Sequence, residues 1–206
     1  MPKYLCILVM LSNYIFADSY QLQTPRSITP MYVQSWKQLR DQGIEKQDLD
    51  YSCGSAAVAT ILRYYYGMQV YEKDILTEVE NIGNDGAASF SDLQKTVKVF
   101  GFNATGISTD IDTLKTIKIP VLIYLKYRGQ DHFTVLRGIS DSYVLLADPS
   151  WGNRIFPIHQ FRKLWEQNGL NGHILIIVPE TVVTINPDFF RIPVVSALPF
   201  QLLELR

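Results

Sequence analysis

Stretches of this chain that repeat their apolar residues at spacings of three and four predict helices with one buried face. The strongest follows Cys53-Gly54-Ser55, so that Cys53 falls at or just before its first turn. Ala57, Val58, Ile61, Leu62 and Tyr65 form its stripe, and Gly67 follows as a C-terminal stop. A second runs over Tyr71–Glu80 with Ile75, Leu76 and Val79 inward. A third opens at Ser91-Asp92-Leu93, with Ser89 or Ser91 as N-cap; it carries Leu93, Val97 and Phe100 and ends at Gly101. Shorter helical segments are expected at Trp36–Gln42, at Ile111–Thr116 and at Ile158–Gln167.

The other apolar runs are short and β-rich. Pro120–Tyr127 and Gly172–Pro179 read as buried strands. His132–Ile139 and Tyr143–Asp148 flank Ser140-Asp141-Ser142, a hairpin signal. Antiparallel pairing across that loop sets Asp148 opposite Thr134 and His132 opposite Ser150. Directly paired residues lie about 4.5–5.5 Å apart, and equal parity puts side chains on one face. His132 and Asp148 are therefore expected to meet at the hairpin's open end. Asn81–Ala88 reads as a loop and Pro149–Asn153 as a turn. Asp18–Gln34, with Pro25 and Pro30, reads as an extended lead-in, and the stretch beyond Glu180 shows no clean period.

Composition narrows the class. The 206 residues suit one domain with termini, and 47% apolar with 19% charged residues is the balance of a globular protein. A formal net charge of -1 gives no electrostatic case for nucleic acid or an anionic membrane as partner.

The N-terminus differs from the rest. Lys3 precedes the apolar run Tyr4–Leu11, and Tyr14-Ile15-Phe16-Ala17 leads to Asp18-Ser19. This fits a secretory signal cleaved after Ala17, too short for a membrane span, and implies a periplasmic or secreted protein. The alternative is an ordinary apolar strand or helix. Cleavage would remove Cys6 and leave Cys53 as the one cysteine, excluding an intrachain disulfide and a cysteine-based zinc cluster. A lone thiol kept in an oxidising compartment suggests a use.

That use can be nucleophilic. Cys53 falls at a helix start, where unpaired N–H groups and the dipole favour a thiolate. A nucleophilic thiol needs a base, the base an orienting acceptor, and the oxyanion a donor. His132, Asp148 and Gln47 are the candidates. Each has a duller reading: Cys53 as a small buried hydrophobe, His132 as a structural histidine, Asp148 as a strand terminator with an Asx turn, Gln47 as a loop residue. His159 and His173 are rivals for the base, although His159 starts a proline-bounded helix and His173 opens a strand with no adjacent carboxylate. The histidines lack the i,i+2 or i,i+4 spacing of a metal site.

Gln47 followed six positions later by Cys53-Gly54-Ser55-Ala56-Ala57 resembles the opening motif of the C39 cysteine peptidases, the bacteriocin-processing, double-glycine leader peptidases. Phe90-Ser91-Asp92-Leu93, Gly101-Phe102, Ile119-Pro120-Val121, His132-Phe133-Thr134-Val135-Leu136, Asp148-Pro149-Ser150-Trp151-Gly152 and Phe161 to Trp165 are similar too. The resemblance covers roughly Ile44 to Pro179. It implies a papain-like α+β fold, N-terminal helices packed on an antiparallel sheet, with Cys53 as nucleophile, His132 as base, Asp148 as orienting acid and Gln47 as oxyanion donor. Where many members carry an acidic residue before the cysteine, this chain has Ser52. With neither a membrane domain nor a nucleotide-binding loop, it looks like the stand-alone, exported C39 proteins, including those encoded with functional-amyloid secretion systems.

The expected sheet contains Pro120–Lys126, His132–Ile139, Tyr143–Asp148 and Gly172–Val178. The expected organisation is a signal peptide at 1–17, a lead-in at 18–43, a C39-like peptidase domain at 44–179 and a C-terminal tail at 180–206. The implied activity is thiol-dependent cleavage of a polypeptide, such as a secretion or fibre-subunit precursor. It needs no cofactor, metal, ATP or nucleic acid. The alternatives are a non-catalytic C39-like module that binds a secretion substrate, and another papain-like chemistry such as acyl transfer or cell-wall amide hydrolysis.

Overall fold

In a computed structural model, residues 23–24, 27–28, 34–83, 86–127, 129–166 and 171–191 are described. The expected signal segment at 1–17 lies outside the described residues. The chain divides into a unit of residues 1–36 and a unit of residues 37–206. The first contains a two-strand antiparallel ribbon, β1 (Gln23–Thr24) and β2 (Ser27–Ile28). The short helix α1 (Trp36–Arg40) follows.

The second unit is built on six antiparallel strands: β3 (Phe102–Thr109), β4 (Val121–Tyr127), β5 (Gln130–Ile139), β6 (Tyr143–Asp148), β7 (Gly152–Pro157) and β8 (Gly172–Pro179). Their spatial order is β3-β8-β4-β5-β6-β7. The four expected strands form its centre. β3 and β7, which the sequence pattern did not announce, are its edges. Both edges are polar or broken by turn residues, Asn103-Ala104-Thr105-Gly106 in one and Gly152-Asn153 with Pro157 in the other. An edge strand is held by one neighbour's hydrogen bonds and buries little, so its pattern is weak. The expected turn at Pro149–Asn153 is accordingly shorter, because Gly152 and Asn153 already pair with Asp148 and Ala147.

The sheet is covered on both faces. On one, Leu122, Val135, Ala147, Leu175 and Ile177 pack with residues of α2 (Cys53–Thr60), α3 (Glu72–Asn81) and α4 (Phe90–Val99). On the other, Val121, Ile123, Leu136, Leu146 and Ile174 pack with α5 (Ile111–Thr116) and α6 (Ile158–Trp165). Successive side chains of a strand point to opposite faces, so burial on both makes β4 a continuous apolar run.

Helix starts follow their capping chemistry. Ser89, not Ser91, caps α4: its Oγ accepts from Asp92 N at 3.2 Å, and Asp92 Oδ2 accepts from Ser89 N at 3.0 Å. Asp110 caps α5 through Thr113 N at 2.8 Å. Leu76 and Phe100 prove half-buried at the margins of their stripes. α2 differs from its expected one-sided burial, because every residue from Cys53 to Thr60 is buried. It continues as a π-helical turn, Ile61–Tyr65. That wider turn hands carbonyls to the chain beyond Glu180: Asn186 N donates to Tyr65 O at 2.8 Å and Asn186 Nδ2 to Tyr64 O at 3.2 Å. Phe189, in the following 3-10 turn Pro187–Phe189, is buried in the core. The described part of the tail is thus part of the fold.

Gly172 admits no larger residue. A Cβ there would lie 2.0 Å from the ring of Trp165, which is itself buried and donates from Nε1 to His173 O at 3.2 Å. Gly172→Ala should lower unfolding free energy by about 1–3 kcal/mol or more. Urea denaturation checks this: a reduced midpoint with an unchanged slope is expected, and a wild-type midpoint would remove the packing argument.

Candidate active site

The β5–β6 hairpin pairs Val135 with Ala147 and Leu136 with Leu146, the register anticipated for its open end. Toward the turn the register shifts by one residue between Leu136 and Gly138, leaving Arg137 as a bulge. The bulged residue is tied down: Arg137 Nη1 donates to Asn153 Oδ1 at 2.5 Å, Arg137 Nε to Phe189 O at 3.2 Å, and Arg191 N to Arg137 O at 2.7 Å.

At the open end His132 Nε2 lies 3.1 Å from Asp148 Oδ2. Asp148 Oδ1 accepts from Ser150 N at 2.9 Å and Trp151 N at 3.0 Å, so the Asx turn and the imidazole contact coexist on one carboxylate. Burial alone would raise the Asp148 pKa. The His132 hydrogen bond and charge, with the two N–H donors, instead hold its carboxyl below the usual range. For His132, burial is the largest influence and works against the charged form. Hydrogen bonds with Asp148 and Cys53, and their charges, outweigh it and push the imidazole up from 6.5 to about 9. With Nε2 turned to Asp148, Nδ1 is the nitrogen left for the sulfur.

Cys53 is the first residue of α2 and is 7% exposed. No side chain caps this helix start, since the Ser52 hydroxyl points elsewhere. It accepts from Leu49 N at 3.2 Å and pairs with Glu72 Oε1. The same Glu72 oxygen accepts from Asp48 N at 3.0 Å. Glu72 is 5% exposed, so a buried carboxylate on α3 ties down the loop that delivers Cys53. An acid in a helix's first turn is ordinary, and nothing in the sequence distinguished this one. Gly54 sets the approach of α2 to the histidine strand. A Cβ there would be 3.1 Å from the ring of Phe133, next to His132, and 3.2 Å from Leu93.

Gln47 reaches the same region from the loop. Its backbone N donates to Pro149 O at 3.3 Å, and its Oε1 accepts from Ser150 Oγ at 2.6 Å. Its Nε2 donates to Leu49 O at 2.9 Å and only loosely to Asp50 O at 3.4 Å. All four anticipated residues therefore gather in one region. Gln47, His132 and Asp148 line one cavity, and Cys53, close enough to the His132 ring to help push its pKa up, lines a second. Of the rivals, His159 is exposed on α6, whereas His173 shares the second cavity with Cys53, its ring 6.5 Å from that of Tyr124; among the described residues the histidine hydrogen-bonded to a carboxylate is His132.

The two cavities differ in character. One of about 530 Å³ carries His132, Asp148 and Gln47 together with Trp151 and Arg154. The other, about 540 Å³, carries Cys53 with Ala88, Phe90, Tyr124 and Phe133. Its aromatic wall is continuous, with Phe133 centred 5.1 Å from Phe90 and 5.7 Å from Tyr124. Among the described residues no helix is long and apolar enough to cross a membrane.

A sequence profile of the Peptidase C39 family matches residues 41–176. The chain is 28% identical over 183 residues to the Pseudomonas fluorescens protein described as "Probable functional amyloid protease FapD", covering 85% of this chain and 79% of that one. Against the protein of that description from Pseudomonas aeruginosa it is 30% identical over 161 residues, covering 75% and 69% respectively. In structure it is similar to a double glycine motif protease from an AMS/PCAT transporter, solved in complex with the leader peptide. That match has a TM-score of 0.55 and 25% identity, covering 66% of this chain and 90% of that one. The helices packed on an antiparallel sheet are the papain-like α+β arrangement of such peptidase domains, and the chain belongs to the Peptidase C39 family.

Proposed function

We propose that this protein is a cysteine peptidase that cleaves an exported or secretion-linked polypeptide through Cys53, His132, Asp148 and Gln47. The observation that carries the reading is the His132 ring 3.1 Å from the Asp148 carboxylate, with Cys53 near enough to help hold that ring charged. In this mechanism the Cys53 thiolate adds to the scissile carbonyl carbon and the electron pair moves to oxygen. Gln47 Nε2, whose second hydrogen is only loosely engaged, and the Cys53 backbone N–H donate to that oxyanion. The His132 imidazolium gives its proton to the departing nitrogen as the C–N bond breaks and a thioester forms. Neutral His132 then takes a proton from water, hydroxide adds to the thioester carbon, and the thiolate leaves with the acid product.

Similarity to proteins described as functional amyloid proteases supports a fibre-subunit or other secretion precursor as substrate. The N-terminal pattern supports a signal peptide at 1–17 and a periplasmic or secreted location; N-terminal sequencing of the mature protein should begin at Asp18. The domain boundaries proposed are a lead-in at 18–43, a peptidase domain at 44–179 and a tail from 180.

Labelling with a peptide carrying a thiol-reactive electrophile tests the reading. Wild type should be acylated at Cys53, while Cys53→Ala and His132→Ala should react at background level. Gln47→Ala should lose about 10²–10³ in acylation rate, with stability within about 1 kcal/mol of wild type. An inert Cys53 with intact peptide affinity would indicate a binding module, and turnover of peptidoglycan fragments in place of peptides a different hydrolase.

The same pair makes activity and stability depend on pH. The kcat/KM of cleavage should fall on the alkaline side at about 9, as the imidazolium is lost, and that limb should move to lower pH in Asp148→Asn. For stability, the folded state keeps the His132 proton up to about 9, whereas an ordinary histidine releases it near 6.5. The contribution is whole below 6.5 and lost as pH rises through 9. Urea unfolding on either side of that window should show a smaller alkaline loss in His132→Ala than in wild type. Equal losses would mean that the imidazole is not held charged.

A further inference from the structure

We propose that the cavity on the imidazole side is a subsite for an acidic side chain in the departing part of the substrate, read by Arg154. The assignment of sides rests on the peptidase reading above. The imidazolium must hand its proton to the leaving nitrogen, so the chain beyond the cut lies where His132 faces. The acyl portion lies with the sulfur. The cavity lined by His132 and Asp148 therefore takes the departing segment, and the aromatic one lined by Cys53 takes the acyl segment.

Arg154 is placed to read that segment. It sits on β7 opposite Leu146, one same-face step along the sheet from the pair of Asp148 with Gly152. Its guanidinium carbon lies 4.5 Å from the ring centroid of Phe156, 5.8 Å from that of Tyr127 and 5.9 Å from that of Trp151. Three aromatic rings hold the side chain, and it donates a hydrogen bond to none of them. The other described arginines, at 40, 63, 137, 162 and 191, each donate to a protein oxygen. Arg154, half-buried, has neither a hydrogen bond nor an ion pair among the described residues. A guanidinium against aromatic rings is weakly hydrated, and its planar fork matches a carboxylate bidentately.

The acids sharing the cavity do not meet this demand. Asp148 serves His132 and its own turn. Asp131 accepts from Tyr124 Oη at 2.5 Å and lies 4.0 Å from Lys126 Nζ. Asp50 is exposed in the loop before Cys53. Among the described residues lining this cavity, Arg154 is the cationic group apart from the imidazole. An incoming carboxylate would complete it.

The test is a binding measurement that needs no cleavage. The full chain carrying Cys53→Ala is titrated, by nitrogen-edited NMR, with C-terminally amidated alanine pentapeptides in which one Asp is moved through the first four positions. All-alanine and Lys-substituted peptides are the references, and the free-acid all-alanine peptide separates a terminal carboxylate from a side-chain one. One Asp position should bind about tenfold tighter than all-alanine, the low end for a hydrogen bond to a charged group. The gain should shrink with added salt and fall below about twofold in Arg154→Gln.

The proposal is overturned if no Asp position gains, if the gain survives Arg154→Gln, or if Arg154→Gln weakens the all-alanine peptide equally, which would make Arg154 a backbone contact. It is also overturned if only the free-acid terminus gains. Should Arg154→Gln fail to fold by circular dichroism, Arg154→Lys carries the test: it keeps the charge without the fork, and an undiminished gain overturns the reading. Because binding is read in a chain that cannot be acylated, failure here is distinguishable from an inert Cys53 in the labelling experiment.

Discussion

The register of one hairpin governs the site. β5 and β6 must pair so that His132 and Asp148 fall on the same face at the same end. A slip by one residue would send one of them to the opposite face of the sheet. Turn and open end need different registers, and the bulge at Arg137 absorbs the difference. Its side chain and carbonyl are then held by Asn153, Phe189 and Arg191. Asn153 Nδ2 in turn donates to the carbonyls of Arg40 and Gln42, at 3.0 and 2.8 Å. The edge strand, the chain before the cysteine loop and the described part of the tail thus converge on the residue that sets the register.

The sulfur is placed by a different means. A helix buried along its whole length cannot slide or rotate without opening voids, and interiors packed at crystal-like density resist that. Gly54 lets this helix close onto Phe133, the neighbour of His132. Ahead of it, Glu72 gathers Ser52 and Asp48, while Ser150 and Pro149 hold Gln47. The loop that borders the proposed chemistry is therefore anchored both to the β6–β7 turn and to α3. Such anchoring favours a fixed arrangement of sulfur, imidazole and amide before any substrate arrives.

Charge and shape then divide the region. Around the sulfur the surroundings are aromatic and apolar; around the imidazole they are polar and carry Arg154. Asp148 keeps the ring charged against the cost of burying it, which requires the carboxylate to be satisfied by its own turn as well. A turn that looks purely structural and a contact that looks purely chemical are the same three hydrogen bonds.

By itself the sequence determined the four central strands, the main helices and the meeting of His132 with Asp148. The stripe after Cys53, the apolar runs of β4 and β8, and the Ser140–Ser142 turn each follow from local periodicity, and equal parity within the hairpin brings His132 to Asp148. Residues 186–189 show no period, yet they pack against the π-helical turn and Arg137. β3 and β7 were illegible because an edge strand takes its hydrogen bonds from one neighbour and leaves no repeating burial pattern. Glu72 was illegible because its partners, Asp48 and Ser52, lie in a loop on the far side of α2. The tertiary structure alone decided these, since they depend on which surfaces face each other after the chain has closed. Local spacing encodes only the side chains that one element presents.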